Sequence, residues 1–191
     1  PEIKVVPKKH KLKLTIDPLK KIKYKSFISP AGEYPWILTK FFGYRQEYKS
    51  TPFIKQIQIM TLCHLDSATF NVRVIAAGSN GDPDNDILDK NLIISAKKGE
   101  ELTAVNLSDL NISFPENGLY IAFEWLIVDQ NKSQNLQLQR SSYAPMIGIV
   151  PDDNNSEIWM YSKGAWYKSK LFYNPGQTKT GQIAVELSLT N

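Results

Sequence analysis

The sequence contains few of the residues from which catalytic and metal sites are usually built. Cys63 is the only cysteine, and His10 and His64 are the only histidines. A single cysteine excludes an internal disulfide and a cysteine-rich zinc site, so we expect Cys63 to act as a small buried hydrophobic residue. Cys63 and His64 are adjacent, and on a strand they would point to opposite faces and could not form a thiolate–imidazole pair without a bulge.

Known catalytic motifs are missing as well. The sequence has no Gly-x-Ser-x-Gly elbow, no glycine-rich phosphate loop and no histidines with the spacing of a zinc site. Each of these motifs supplies an activated nucleophile or a cradle for charge, which a catalytic domain would need from some source. We therefore predict that the chain is not an enzyme.

Long apolar runs are also absent. No run approaches the roughly 18 apolar residues that a membrane-spanning helix requires, so we expect no transmembrane segment in this chain. The sequence starts at Pro1, without an initiator methionine or a charged and apolar leader. We therefore expect the natural protein to begin further upstream.

Positive charge is concentrated at one end of the chain. Residues 1–25 contain nine lysines against Glu2 and Asp17, a net charge of +7, whereas the whole chain carries +4 and residues 26–191 therefore carry −3. A mildly acidic body predicts no nucleic-acid-binding face. We interpret residues 1–25 as a basic N-terminal extension, either a linker or edge strands, with contact to anionic lipid or another polyanion as the alternative.

Short strand patterns separated by turn clusters occupy most of the chain, and no helical pattern is convincing. The predicted strands are 11–16, 22–28, 36–42, 53–62, 69–77, 92–95, 102–107, 119–128, 146–150, 157–161, 165–167 and 183–189. Residues 79–89 and 129–142 are predicted polar loops, and Ser162-Lys163-Gly164 is a predicted hairpin turn. The nearly continuous apolar run 119–128 predicts a central strand buried on both faces. Residues 26–191 are thus predicted to form one all-β domain, a jelly-roll-like antiparallel β-sandwich.

Five segments carry a resemblance to a known family. They are Phe70-Asn71-Val72-Arg73-Val74, Gly81-Asp82-Pro83 with Ile87-Leu88, Asn91-Leu92-Ile93-Ile94, Val105-Asn106-Leu107-Ser108, and the block FPENGLYIAFEW at 114–125. In order and spacing, these segments resemble the C-terminal, galactose-binding-like β-sandwich of bacterial envelope proteins that carry a carboxypeptidase-like regulatory domain. Ile3-Lys4-Val5-Val6 is similar to the short link that follows that regulatory domain.

The resemblance implies an exported protein of the periplasm, outer membrane or cell surface of a Gram-negative bacterium, with the regulatory domain upstream. It implies no catalytic residues. Two positions depart from the family pattern: Asp82-Pro83-Asp84 replaces a glycine-rich turn, and Ala104-Val105 stands where an aromatic residue is common. These departures leave the expected fold unchanged and put a shared function of the loop in doubt.

Asp82, Asp84 and Asp86 recur at every second position, beside Asn80 and Asp89. Calcium prefers such oxygen ligands, but an EF-hand loop counted from Asp82 would place isoleucines where glycine and glutamate are needed. Two interpretations remain, an ordinary acidic turn and an irregular calcium site. A second acidic turn at 152–155 is open to the same two interpretations.

Glu124 lies within the predicted central strand, where an unpaired charge would be costly. We expect it to be paired with Arg, Lys or a backbone N–H. The alternative is a general acid with a raised pKa, as in a glycoside hydrolase, but the sequence identifies no second carboxylate for that chemistry.

Aromatic residues give the strongest indication of function. Sugar rings stack on Trp and Tyr, and five residues are candidate ligand contacts: Trp36, Trp159, Tyr161, Trp166 and Tyr167. Packing in the sandwich core is the alternative, and it is the role that we expect of Trp125. We therefore predict an accessory domain that binds a glycan, or one that docks to an envelope protein through an apolar patch or an open strand edge.

Overall fold

The structure, a computed structural model, describes residues 12–20, 24, 26–30, 32–135, 140–173 and 178–191. Most of the lysine-rich segment, much of the predicted strand 22–28, and Leu136 and Leu138 of the predicted loop 129–142 lie outside these ranges. The described residues form fifteen strands: β1 Lys13–Ile16, β2 Phe27–Ile28, β3 Trp36–Phe42, β4 Phe53–Ala77, β5 Pro83–Asp86, β6 Leu92–Asn106, β7 Leu119–Trp125, β8 Lys132–Asn135, β9 Arg140–Tyr143, β10 Met146–Pro151, β11 Ile158–Ser162, β12 Ala165–Ser169, β13 Leu171–Phe172, β14 Thr180–Ile183 and β15 Val185–Thr190. Short 3-10 helices at Gln46–Ser50, Ser108–Leu110 and Asp129–Asn131 are the helical segments of this part of the chain.

The long strands β4 and β6 form one antiparallel pair that contributes to both layers of the sandwich. In the first half of β4, Ile57 pairs with Leu187 of β15 on one side and Val105 of β6 on the other. In the second half, Asn71 pairs with β6 and with Glu124 of β7. The pairing of β4 with β6 shifts register between Cys63 and Ser67, where the two strands pass from one layer to the other.

The first layer therefore has the order β1-β15-β4-β6, and the second has the order β12-β11-β3-β7-β4 with β6 or β5 next to β4. Strand β10 joins β4 to β14 and β2, and β8 pairs with β9 as a separate hairpin. All of these pairings are antiparallel. The all-β prediction is confirmed, and so is the jelly-roll-like antiparallel β-sandwich.

The main core lies between the two layers. In β7 the side chains of Leu119, Ile121, Phe123 and Trp125 point into it and are at most 1% exposed. Phe123 stacks on Phe70 at 4.3 Å between ring centroids, and the Trp125 indole donates to the Pro145 carbonyl at 2.7 Å. Trp125 thus has the predicted core role, and β7 is the predicted central strand, although it ends at Trp125 rather than at residue 128.

Several strand predictions were wrong in detail. Residues 53–62 and 69–77 belong to the single strand β4, and 92–95 and 102–107 to the single strand β6. The predicted loop 79–89 contains β5, the predicted loop 129–142 contains β8 and most of β9, and the predicted strand 183–189 is divided at Ala184. The predicted hairpin turn is present, with Lys163 and Gly164 both at positive φ.

One lysine lies inside the core. Lys40 of β3 is 3% exposed, and its ammonium group donates to the Val185 carbonyl at 2.8 Å and contacts the Asp17 carboxylate at 2.9 Å. Burial lowers the pKa of Lys40, and the nearby Asp17 carboxylate acts in the opposite direction. Through Asp17, Lys40 therefore connects the turn after β1 to the sandwich. Among the described residues, no helix has the length and apolar character needed to cross a bilayer.

Candidate functional site

The second layer has an outer face that points away from the main core. Because side chains alternate along a strand, Tyr120, Ala122 and Glu124 of β7 belong to this outer face. Cross-strand pairing aligns six residues in one row of it: Trp166, Tyr161, Ile37, Glu124, Asn71 and Ile93. Aromatic side chains occupy one end of the row, and polar groups lie toward the other.

Three of the five predicted aromatic contacts meet on the outer face. Trp159, Tyr161 and Trp166 are each half-buried and pack against a small apolar cluster that includes Ile37 and Ala122. The rings of Tyr161 and Trp166 meet edge to face, with 5.4 Å between their centroids. The hairpin β11–β12 therefore presents a partly exposed aromatic surface.

The other two predicted contacts lie on the opposite face. Trp36 packs against the main core. Tyr167 pairs across the hairpin with Met160, whose buried side chain also belongs to that core, and Tyr167 is 40% exposed at the sheet edge. The structure therefore does not bring Trp36 and Tyr167 to the surface formed by the other three.

A depression of about 390 Å³ opens beside Trp159. We call it the aromatic depression, and the side chains of its lining that matter most are Phe41, Tyr120, Trp159, Glu157, Lys168 and Gln182. Phe41 and Tyr120 pair across β3 and β7, and their ring centroids are 5.0 Å apart. This volume falls within the usual range of small-ligand sites.

Polar groups surround the rings of the aromatic depression. The ammonium group of Lys168 lies 4.9 Å from the centroid of the Trp159 ring and 3.2 Å from the Asp82 carboxylate. The indole Nε1 of Trp159 is buried, and its N–H is close enough to the Tyr120 side chain to lower the pKa of that phenol. The polar groups that a ligand can reach here are therefore the exposed Lys168 ammonium and Glu157 carboxylate.

Tyr120 connects the aromatic depression to the loop that precedes β5. Its hydroxyl donates to the Gly81 carbonyl, and Gly81 lines the same depression. Burial raises the pKa of Tyr120, the Asp82 carboxylate raises it further, and Trp159 acts in the opposite direction. At neutral pH Tyr120 is therefore a protonated donor that holds the loop against the face.

The turn before β11 supplies Ser156 and Glu157 to the aromatic depression. Asp152 holds this turn because its carboxylate accepts the backbone N–H groups of Asn154 at 3.1 Å and Ser156 at 2.6 Å. Burial opposes ionisation of Asp152, but these N–H donors, together with the side chains of Ser156 and Gln182, outweigh burial and lower its pKa. The carboxylate is thus occupied by its own turn, as in the ordinary interpretation of the 152–155 segment.

Glu124 has a partner, but the partner is an amide rather than a cation. Its carboxylate accepts from Asn71 Nδ2 at 2.7 Å. Asn71 is 3% exposed, and its carbonyl oxygen accepts the backbone N–H of Leu92 at 3.0 Å. The nearby guanidinium of Arg73 instead donates twice to Asp86, at 3.0 and 2.6 Å. The expected pairing with a lysine, an arginine or a backbone N–H was therefore wrong, because an amide fills the adjacent position.

The three aspartates predicted as a calcium site have separate partners. Asp82 accepts from Asn80 and contacts Lys168, Asp84 accepts from Asn85, and Asp86 contacts Arg73. Within the described ranges, no three His, Cys, Asp or Glu residues are grouped closely enough to hold a metal ion. Calcium binding by this loop stays a prediction.

Sequence reasoning identified Trp159 but missed the other side of the aromatic depression. Phe41 and Tyr120 lie on β3 and β7, far from Trp159 in sequence, and the order β11-β3-β7 brings them together. The only signal in the sequence was the position of Phe41 and Tyr120 opposite to the core-facing residues of their strands.

Comparison with known proteins yields no relative: no protein-family model, no curated protein and no solved structure matches the chain.

Proposed function

We propose that this domain binds carbohydrate, without cleaving it, at the aromatic depression on its outer face. The supporting observation is that Phe41, Tyr120 and Trp159 line the same depression as Glu157, Lys168 and Gln182. A sugar ring needs both kinds of group, since its apolar face stacks on aromatic rings and its hydroxyls require donors and acceptors.

The charges at the depression favour a neutral ligand. Lys168 is already paired with Asp82, and Glu157 adds a negative charge at the exposed rim. A phosphate or a carboxylate ligand would have to compete with Asp82 for this lysine. A sugar hydroxyl can donate to Glu157 without displacing the ion pair.

The arrangement of carboxylates supports binding rather than hydrolysis. Glycosidases use a pair of carboxyl groups that flank the scissile bond. The lining of the aromatic depression contains one carboxylate, that of Glu157, and the nearby Asp82 is paired with Lys168.

Docking to another protein is the second candidate, because β6 pairs with no described strand except β4. This edge carries Lys97, Lys98, Glu100 and Glu101, and Glu100 accepts the backbone N–H of Tyr24 at 2.8 Å. Charges of this kind protect edges against pairing with other chains. The resemblance of residues 70–125 to envelope sandwiches supports an accessory role in an exported envelope protein, in either case.

The proposal is tested by replacing Trp159 with alanine and comparing the variant with Tyr167→Ala. Both residues belong to the same hairpin, but Tyr167 lies on the opposite face. Affinity gels of cellulose, mannan, xylan and chitin, followed by tryptophan fluorescence titration with their soluble fragments, measure the binding. We expect wild type and Tyr167→Ala to be retained alike, and Trp159→Ala to bind at least about tenfold more weakly.

Two results would overturn carbohydrate binding at this site. One is the absence of retention of the wild type on every gel and the absence of any fluorescence change. The other is a Trp159→Ala variant, shown to be folded by circular dichroism, that binds as tightly as the wild type.

A further inference from the structure

A second depression, also of about 390 Å³, lies at the other side of the outer face. We call it the polar depression, and its polar lining residues are Arg73, Asn85, Asp86, Asp89, Lys90 and Asn91. It forms beside β4, in the gap between the end of β5 and the start of β6. Asp86 at the end of β5 is opposite Ile75, and Leu92 at the start of β6 is opposite Val72.

The polar depression offers hydrogen bonds and contains no aromatic ring. Arg73 and Asp86 neutralise each other, and the amides of Asn85 and Asn91 stand beside them. Lys90 and Asp89 add one charge of each sign. The lining therefore suits uncharged hydroxyl groups better than a phosphate or a metal ion.

The two depressions lie on one line that runs across the strands of the second layer. The Thr39 hydroxyl donates to the Trp159 carbonyl, Thr39 is opposite Ala122, and Ala122 is opposite Arg73. Trp159 and Arg73 are thus separated by three strand spacings, which is about 14 Å. Thr39 and Ala122, between them, have small side chains and are buried.

The surface between the depressions is also polar and aromatic. The Asp86 hydrogen bond is the main cause of the raised pKa of Arg73, with smaller contributions from Glu124 and Tyr161. Cross-strand pairing places Tyr161 and Glu124 in the adjacent row of the outer face, two residues along their strands from Trp159 and Ala122. A ligand that reached from Trp159 to Arg73 would therefore pass beside Tyr161 and Glu124.

We propose that the ligand is a linear oligosaccharide that crosses the strands of the second layer, with one end in the aromatic depression and the other in the polar depression. This inference rests on the proposed carbohydrate binding and specifies its substrate class. A single sugar fills only one depression, so the affinity is expected to increase with the length of the chain until both are occupied.

The experiment titrates the protein with cello-, manno-, xylo- and chito-oligosaccharides, from the monosaccharide to the hexasaccharide, by isothermal calorimetry. The decisive variant is the double substitution Asn85→Ala with Lys90→Ala, which removes two exposed groups of the polar depression. Its control is Lys97→Ala, an exposed lysine of β6 outside the lining of both depressions.

We expect the double variant to bind the hexasaccharide about tenfold more weakly than the wild type and the disaccharide equally well. Lys97→Ala should bind both as the wild type does, and Trp159→Ala should lose affinity for both. A hexasaccharide that binds no more tightly than the monosaccharide would overturn this inference and leave the proposed function standing. Equal losses for both sugars in the double variant would also overturn it. If no sugar of any series binds, both proposals fall.

Discussion

The two faces of β7 are both largely covered, yet they differ in chemistry. On the inner face, Phe123 and Trp125 lie among aliphatic and aromatic side chains of both layers. On the outer face, Tyr120 and Glu124 lie among other aromatic residues, an amide and an arginine. Inner residues are buried by the first layer, whereas outer ones are covered by side chains of neighbouring strands and by one loop.

The degree of burial alone does not distinguish the two faces of β7. Ala122 on the outer face is as inaccessible as Phe123 on the inner face, at 0% exposure. The inner face is closed by apolar contacts that serve stability. The outer face keeps polar groups beside its rings, including the Lys168 ammonium group 4.9 Å from the centroid of the Trp159 ring. Substitutions on the two faces should therefore affect different properties.

The largest expected effect is the difference in stability loss between substitutions of two phenylalanines, one on each face of the second layer. Phe123→Ala should lower the free energy of unfolding by about 3 to 5 kcal/mol, because it leaves a cavity against Phe70 and Trp125. Phe41→Ala, whose side chain is 47% exposed beside the aromatic depression, should lower it by less than about 1 kcal/mol and should weaken glycan binding instead. Urea denaturation and glycan titration of both variants measure the contrast, and equal stability losses would contradict it.

The next effect concerns a turn that completes the outer face. Asp152→Asn should lower stability at neutral pH by about 1 to 3 kcal/mol, since an amide accepts the N–H groups of Asn154 and Ser156 less well than a carboxylate. The pKa of Asp152 in the folded protein lies below its ordinary value of 3.8. The contribution of the ionised carboxylate is therefore complete above that value and is lost as the pH falls through the folded pKa.

Urea denaturation at a series of pH values tests the direction of this pH dependence. The difference between the wild type and Asp152→Asn should narrow as the pH falls below 3.8. A constant difference down to the lowest pH at which the protein stays folded would contradict the role given to the carboxylate.

A smaller effect is expected at the loop that covers part of the outer face. Tyr120→Phe removes the hydrogen bond to the Gly81 carbonyl and should cost about 1 kcal/mol of stability. The loop should also become more mobile, which faster amide exchange at Gly81 and Asp82 would show. Unchanged exchange at these positions would mean that other contacts, such as Asp82 with Lys168, hold the loop.

The smallest effect is expected at Glu124. Glu124→Gln should change stability by less than about 0.5 kcal/mol, because the amide oxygen of glutamine can accept from Asn71 in place of the carboxylate. Thermal denaturation checks this. A loss of several kcal/mol would show that the charge of Glu124 is itself needed, and it would make the two faces of β7 more alike than the structure indicates.

The sequence predicts the fold well where apolar and polar residues alternate without interruption. The predicted and observed bounds of β3 are the same, at Trp36 and Phe42. In β4 the polar residues His64, Asp66 and Ser67 gave the appearance of a break between two strands. The chain there continues as one strand through a bulge, and these three residues are exposed where β4 and β6 pass from one layer to the other. A local pattern cannot distinguish a bulge from a loop.

The candidate site was only partly accessible to sequence reasoning. Alternation places Trp159 and Tyr161 on one face of β11, and the hairpin turn adds Trp166. Trp36 and Tyr167 have the same chemistry, and they were misplaced because the direction of the core is set by pairing with distant strands. Glu157 and Gln182 reach the depression from segments that no local pattern connects.

The pair of strands β4 and β6, which is shared by both layers, also determines how the domain unfolds. Since 25 consecutive residues of β4 serve both layers, neither layer is a separable folding unit, and a fragment that contained only one of them would expose the cut edge of the other. Loss of either layer should therefore coincide with global unfolding. We expect any adjustment that admits a ligand in the loops at residues 78–82, 87–91 and 152–157, which line the two depressions, while the strands beneath them keep their register.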